Sequence, residues 1–254
     1  MNFRQRLGNR LAAYLAAPSK RDVRLPTCRP EVLAATLRKG DVLLVEGSSK
    51  FSTAVKYLTQ SNWSHAALCI SGQNDTEYDG VQFIEADVAE GVRLIGLDEF
   101  TEFHTRICRP VGLKAKEIDG VIAHTMNRLG HQYDLRNVFD LMRYLIHTPP
   151  VPRQWRRRML ALGSGDPTRA ICSTLIASAF QSVSYPILPE IEWHENDVPD
   201  CYDCYDELLH IRHHSLFAPR DFDISPYFNI IKPSIENNFD PYKLVWADSA
   251  AEVT

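Results

Sequence analysis

Apolar and polar positions alternate through much of the first half of the chain and fall at helical spacing through much of the second. Gly40-Asp41 leads into Val42-Leu43-Leu44-Val45, an unbroken apolar run that predicts a buried strand. Trp63 to Ser71, Val81 to Ala86, Val92 to Leu97 and His104 to Val111 read as further strands, with a short helix from Phe51 to Gln60. The spacers are short and rich in Gly, Asn and Asp, which favours an antiparallel meander. Ile118, Val121, Ile122, Thr125 and Met126 then share one face of a helix over 114–129, stopped at Gly130. Further helices are predicted over 137–146, 153–162 and 172–184, the last ending before Pro186. Residues 187–216 read as irregular, with one helical turn from Tyr205, and Phe228 to Ile231 as a returning strand. Strands followed by helices, instead of alternating with them, predict the α+β class.

At the N-terminus, Leu7, Leu11 and Leu15 recur every four residues, which predicts an amphipathic helix over 1–17. Residues 18–30, with Pro18, Pro26 and Pro30, read as a linker. Arg4, Arg6 and Arg10 precede an apolar stretch too short for a secretory signal, and no run of apolar residues is long enough to span a bilayer. A cytoplasmic location is expected, with membrane association through the N-terminal helix as the alternative.

Composition narrows the partners. The 254 residues carry 28 Lys+Arg against 32 Asp+Glu, a formal net charge of −4, which argues against nucleic-acid binding. Six Cys are too few for a disulfide scaffold and fit a reducing compartment, where a thiol is buried or chemical. Charge is uneven. Glu190, Glu192, Glu195, Asp197, Asp200, Asp203, Asp206 and Glu207 lie in a stretch without Lys or Arg. It reads as a solvated insertion, or as a rim that attracts a cationic group. Arg156-Arg157-Arg158 is a solvated helix face or a contact for phosphate or lipid headgroups.

The chain has no serine-hydrolase elbow, zinc-peptidase helix, Walker A loop or dinucleotide fingerprint. Cys201-x-x-Cys204 with His210 and His213 offers zinc-type ligands, but only five residues separate Cys204 from His210, far fewer than a typical finger uses. The Asp residues beside these Cys oppose a redox role.

The sharper constellation is Cys172, His65 and Glu85. Cys172 opens a helical pattern just after a Gly163–Pro167 loop. A helix N-terminus favours thiolate and leaves a backbone N–H free to hold an oxyanion. A buried structural thiol is the plain alternative. In Trp63-Ser64-His65-Ala66-Ala67-Leu68-Cys69, alternation puts His65, Ala67 and Cys69 on one face, where small neighbours leave room beside the ring. A satisfied core histidine reads equally well. Glu85 interrupts the apolar strand Val81-Gln82-Phe83-Ile84-Glu85-Ala86; it either faces solvent or needs a partner, and His65 is the natural one.

These segments, in order, resemble the permuted papain-like cysteine amidases of the YiiX/YaeF type in the NlpC-like superfamily. The resemblance is carried by Gly40–Leu44, Trp63–Ala67, Phe83–Ala86, Leu97–Phe100, Gly130–Asp134, Cys172–Ile176 and Ala218–Pro226. It implies a circularly permuted papain-like fold, an antiparallel sheet or partial barrel packed on helices, in which His and acid precede Cys. It further implies Cys172 as nucleophile, His65 as general base and acid, and Glu85 as the residue orienting it; Tyr133 and Asp134 match a mainly structural element of the family and are expected, with Trp63, to line the substrate pocket. Thr174 stands where relatives often carry Glu. The division expected is an extension and linker at 1–37, the catalytic domain at 38–233 with its acidic insertion near 187–216, and a tail at 234–254. The function expected is hydrolysis of an amide or related acyl bond in a small-molecule or peptide substrate through a thioester, with no metal or organic cofactor. The alternatives are lipid acyl transfer or deacylation on the same fold, and a catalytically silent binding module.

Overall fold

The computed structural model describes residues 26, 28–71, 80–87, 90–131, 172–195 and 205–243. The chain enters through helix α1 (Pro30–Thr36), strand β1 (Val42–Val45), helix α2 (Lys50–Thr59) and strand β2 (His65–Cys69). Strands β3 (Gln82–Asp87) and β4 (Gly91–Gly96) form a hairpin, followed by a 3-10 turn at Leu97–Phe100, strand β5 (Thr105–Pro110) and helix α3 (Ala115–Met126). Helix α4 (Cys172–Ser182), strands β6 (Glu190–Glu195) and β7 (Tyr205–His210), helix α5 (Pro219–Asp223), strand β8 (Phe228–Ile231) and a short helix α6 (Pro233–Glu236) complete the described elements.

Six strands form one antiparallel sheet in the order β4-β3-β2-β1-β5-β8. β1 lies inside it, and all four of its residues are buried, which is why its sequence is an unbroken apolar run. Alternation along the strands divides the core. Val42, Leu44, Ala66, Leu68, Ile84 and Ala86 pack with Val121 of α3 and with Leu175, Ile176 and Phe180 of α4. Leu43, Val45, Ala67, Cys69 and Phe83 turn to the other face and pack with Leu33 and Ala34 of α1 and Phe100. The sheet is thus covered on both faces, by α3 and α4 on one and by α1 on the other.

α1 lies in the stretch expected to be extension and linker, yet Leu33, Ala34 and Leu37 are core residues. A fork fixes its end. Arg109 of β5 donates through Nε to Asp41 Oδ1 and through Nη2 to Asp41 Oδ2, both at 2.8 Å, and Nη2 also reaches the Thr36 carbonyl. Gly40, between helix and strand, has φ +86°, and a Cβ there would meet Ile118 Cγ2 at 3.0 Å.

α4 is buried from Cys172 through Phe180, with the small polar Ser173, Thr174 and Ser178 enclosed among its apolar residues. Two of these hydroxyls find carbonyl partners: that of Ser173 donates across the fold to the Phe217 carbonyl, and that of Ser178 to the Leu175 carbonyl within the helix. Ser184, at φ +58°, ends the helix as Tyr185 N–H bonds back to the Phe180 carbonyl.

One expectation fails here. The acidic segment contains a two-stranded antiparallel ribbon, in register from Glu190–His210 to Glu195–Tyr205. It pairs outside the main sheet. The helices expected at 1–17, 137–146 and 153–162 lie outside the described residues. None of the described helices is long and apolar enough to cross a membrane.

Candidate active site

β2 and β3 pair only as far as Ala67–Glu85. Beyond that point β2 continues to His65 beside Val45 of β1, and β3 continues to Asp87 beside Gly91 of β4. His65 stands where the two strands part. Glu85 shares its face, since it pairs with Ala67 and His65 lies one alternation earlier. Ala67 is the small neighbour that lets the two side chains meet.

His65 Nε2 lies 2.6 Å from Glu85 Oε2. The Glu85 side chain is 5% exposed and that of His65 24%. The buried Cys172, first residue of α4, is a second neighbour of the ring. Burial alone would push the His65 pKa down. Cys172 first, and Glu85 after it, outweigh that penalty and hold the imidazolium well above the ordinary imidazole value. Burial would likewise push the Glu85 carboxyl up, but the hydrogen bond and charge of His65, joined by Arg93, hold it below the ordinary range. Phe100 lies beside the His65 ring at a centroid distance of 6.4 Å and meets Phe83 edge-on at 5.3 Å, an apolar wall against the ring.

Sequence reasoning missed Arg93. It sits directly opposite Glu85 in the β3–β4 hairpin. Its Nε and Nη2 reach Glu85 Oε1 at 2.9 and 2.8 Å, while Nη1 reaches Glu90 Oε2 at 2.9 Å. The signal was available: two adjacent predicted strands joined by a short turn pair residues symmetrically about it, and that symmetry matches 85 with 93.

Other expected residues are placed differently. Trp63 is buried, as Cys172 and Glu85 are. Its indole N–H donates to Asp223 Oδ2 at 3.0 Å, and its ring lies between the Arg106 guanidinium and the His104 ring. Asp223 also holds Arg106 Nη1 at 2.6 Å, so Trp63 ties β2 to α5 and β5. In the Ala218–Pro226 segment Phe222 is fully buried and Asp221 accepts from the Ala218 N–H, both packing roles. Tyr133, Asp134, Cys201 and Cys204 lie outside the described residues. His210 bonds Glu192 and His213 bonds Ser215, and no group of three or more metal-ligating side chains converges among the described residues.

An antiparallel sheet packed on a buried helix whose first residue is a cysteine beside a strand histidine defines an α+β domain. Residues 36–144 match the family described as permuted papain-like amidase enzyme, YaeF/YiiX, C92 family. The matched segment contains His65, Glu85 and Arg93, and Cys172 follows it in the chain. Among solved structures, the crystal structure of metalloprotein yiiX from Escherichia coli O157:H7 is similar, at 14% identity and a TM-score of 0.47, over 78% of this chain and 97% of that one. No curated protein matches the chain.

Proposed function

We propose that the protein is a cysteine hydrolase that cleaves an amide or related acyl bond, with Cys172, His65 and Glu85 as its triad. The observation that carries this reading is the buried line Cys172–His65–Glu85, in which one imidazole faces a thiol on one side and a carboxylate at 2.6 Å on the other. Glu85 occupies Nε2, so Nδ1 is the nitrogen left for the sulfur. An imidazolium held beside a cysteine sulfur is the arrangement a thiol nucleophile uses.

In the proposed reaction the Cys172 thiolate attacks the substrate carbonyl carbon, and the electron pair of the C=O bond moves to oxygen. As the first residue of α4, Cys172 has a backbone N–H without a carbonyl partner inside its own helix, and that N–H stabilises the oxyanion. Collapse of the tetrahedral intermediate expels the amine, which takes its proton from His65, and leaves a thioester. His65, now neutral, removes a proton from water as the water oxygen attacks the thioester. Cys172 leaves as thiolate beside the reprotonated ring, and the acid is released. Glu85 keeps the ring oriented and supports its positive charge throughout.

The test uses iodoacetamide and a panel of acyl amides on wild type and Cys172→Ala. Wild-type Cys172 is expected to alkylate at least tenfold faster than a free thiol near pH 6, and Cys172→Ala to lose all turnover. Alkylation at the free-thiol rate, or turnover that survives the substitution, would sink the proposal.

A further inference from the structure

Glu85 gives its two oxygens to different partners, and only one of them belongs to the triad. Oε2 meets His65 at 2.6 Å, while Oε1 takes two donors of Arg93, at 2.9 and 2.8 Å. We propose that Arg93 is a positioning residue of the site, which keeps the Glu85 carboxylate ionised and turned so that Oε2 faces the ring. The inference rests on reading Cys172, His65 and Glu85 as the catalytic set.

A Glu terminal torsion is broad, so a carboxylate held by one bond swings readily. Two donors on the second oxygen remove that freedom, and a guanidinium supplies them in fixed planar geometry. A carboxyl side chain only 5% exposed also loses hydration, and a permanent positive charge against it opposes protonation.

The backbone brings Arg93 to this position. Gly91, at φ +80°, stands at the turn and starts the register that puts Arg93 opposite Glu85. The outer edge of β4 is held as well: Val92 N–H donates to the His131 carbonyl at 3.0 Å, and Gly130 N–H to the Val92 carbonyl at 2.9 Å. The contact of Arg93 with Glu90 is of another kind, since the Glu90 side chain is 65% exposed. The buried bond to Glu85 and the surface bond to Glu90 therefore make different predictions.

The experiment follows the rate of Cys172 alkylation by iodoacetamide against pH in the full chain. It compares wild type, Arg93→Gln, Arg93→Lys and Glu90→Gln, with circular dichroism melts of each. In Arg93→Gln the acid limb, where the rate falls as pH drops, is expected to move up by about one pH unit, so the rate on that limb falls about tenfold. Arg93→Lys keeps the charge but loses the fork, and its limb should lie between the two. Glu90→Gln should superpose on wild type. A folded Arg93→Gln protein with the wild-type profile overturns the assignment and leaves the triad reading standing. If Arg93→Gln fails to fold, Arg93→Lys decides: an upward displacement supports the assignment and a superposed limb overturns it. A wild-type Cys172 no faster than a free thiol overturns the triad reading, and this inference with it.

Discussion

Replacing Glu85 by Gln keeps the side-chain shape and removes the charge that faces His65 Nε2 at 2.6 Å. The size of the effect follows from Coulomb's law. Unit charges about 4 Å apart at an effective dielectric of about 20 interact by about 4 kcal/mol. The His65 side chain is 24% exposed, so screening brings the expected value to about 2–3 kcal/mol. At about 1.4 kcal/mol per pH unit, His65 should titrate about two units lower in Glu85→Gln. The measurement belongs in a Cys172→Ala background, where no coupled thiol titration blurs the assignment. The C2–H resonance of His65, identified among the nine histidines with a His65→Gln protein, is followed by NMR from pH 4 to 10. Glu85→Asp keeps the charge on a shorter arm and should recover part of the loss. A folded Glu85→Gln protein whose His65 titrates within half a unit of its parent would refute the claim that this carboxylate supports the imidazolium.

The same pair makes stability depend on pH in a defined window. Glu85, held below its ordinary value of 4.5, contributes stability that is present above that pH and lost as pH falls through its folded value. His65, held above its ordinary value of 6.5, contributes stability that is present below that pH and lost as pH rises through its folded value. The urea midpoint gap between wild type and Glu85→Gln should therefore be widest between about pH 4.5 and 6.5 and narrow towards pH 10. Phe180 is fully buried in α4 among Tyr185, Phe222 and Phe228, so Phe180→Ala should cost about 3–5 kcal/mol in urea unfolding.

The parts of the fold legible in the sequence are those where burial writes a pattern. β1 is apolar at every position because both its faces are covered, and the strand pair around His65 and Glu85 alternates because its two sides enter different cores. Cys172 was visible because it opens a helical pattern after a Gly- and Pro-containing loop and follows His65 and Glu85 in the chain. What the sequence concealed depends on pairing instead of on composition. Arg93 gains its meaning only from the hairpin register that sets it against Glu85. The β6–β7 ribbon satisfies its backbone by self-pairing outside the sheet, so acidic residues along it give no strand signature. The bond of the Trp63 indole to Asp223 was equally hidden, because Asp223 lies far along the chain.

The thiols of this protein differ sharply in their surroundings. Cys69 and Cys108 are fully buried, and burial also pushes the Cys108 thiol pKa strongly upward. Cys172 meets His65 only when α4 has docked against the sheet. On the proposed function, unfolding should reverse the labelling pattern, exposing Cys69 and Cys108 while Cys172 slows to the pace of any free cysteine. Thiol footprinting would then report the assembled core through the appearance of a reactive sulfur, where in most proteins it reports folding only through protection.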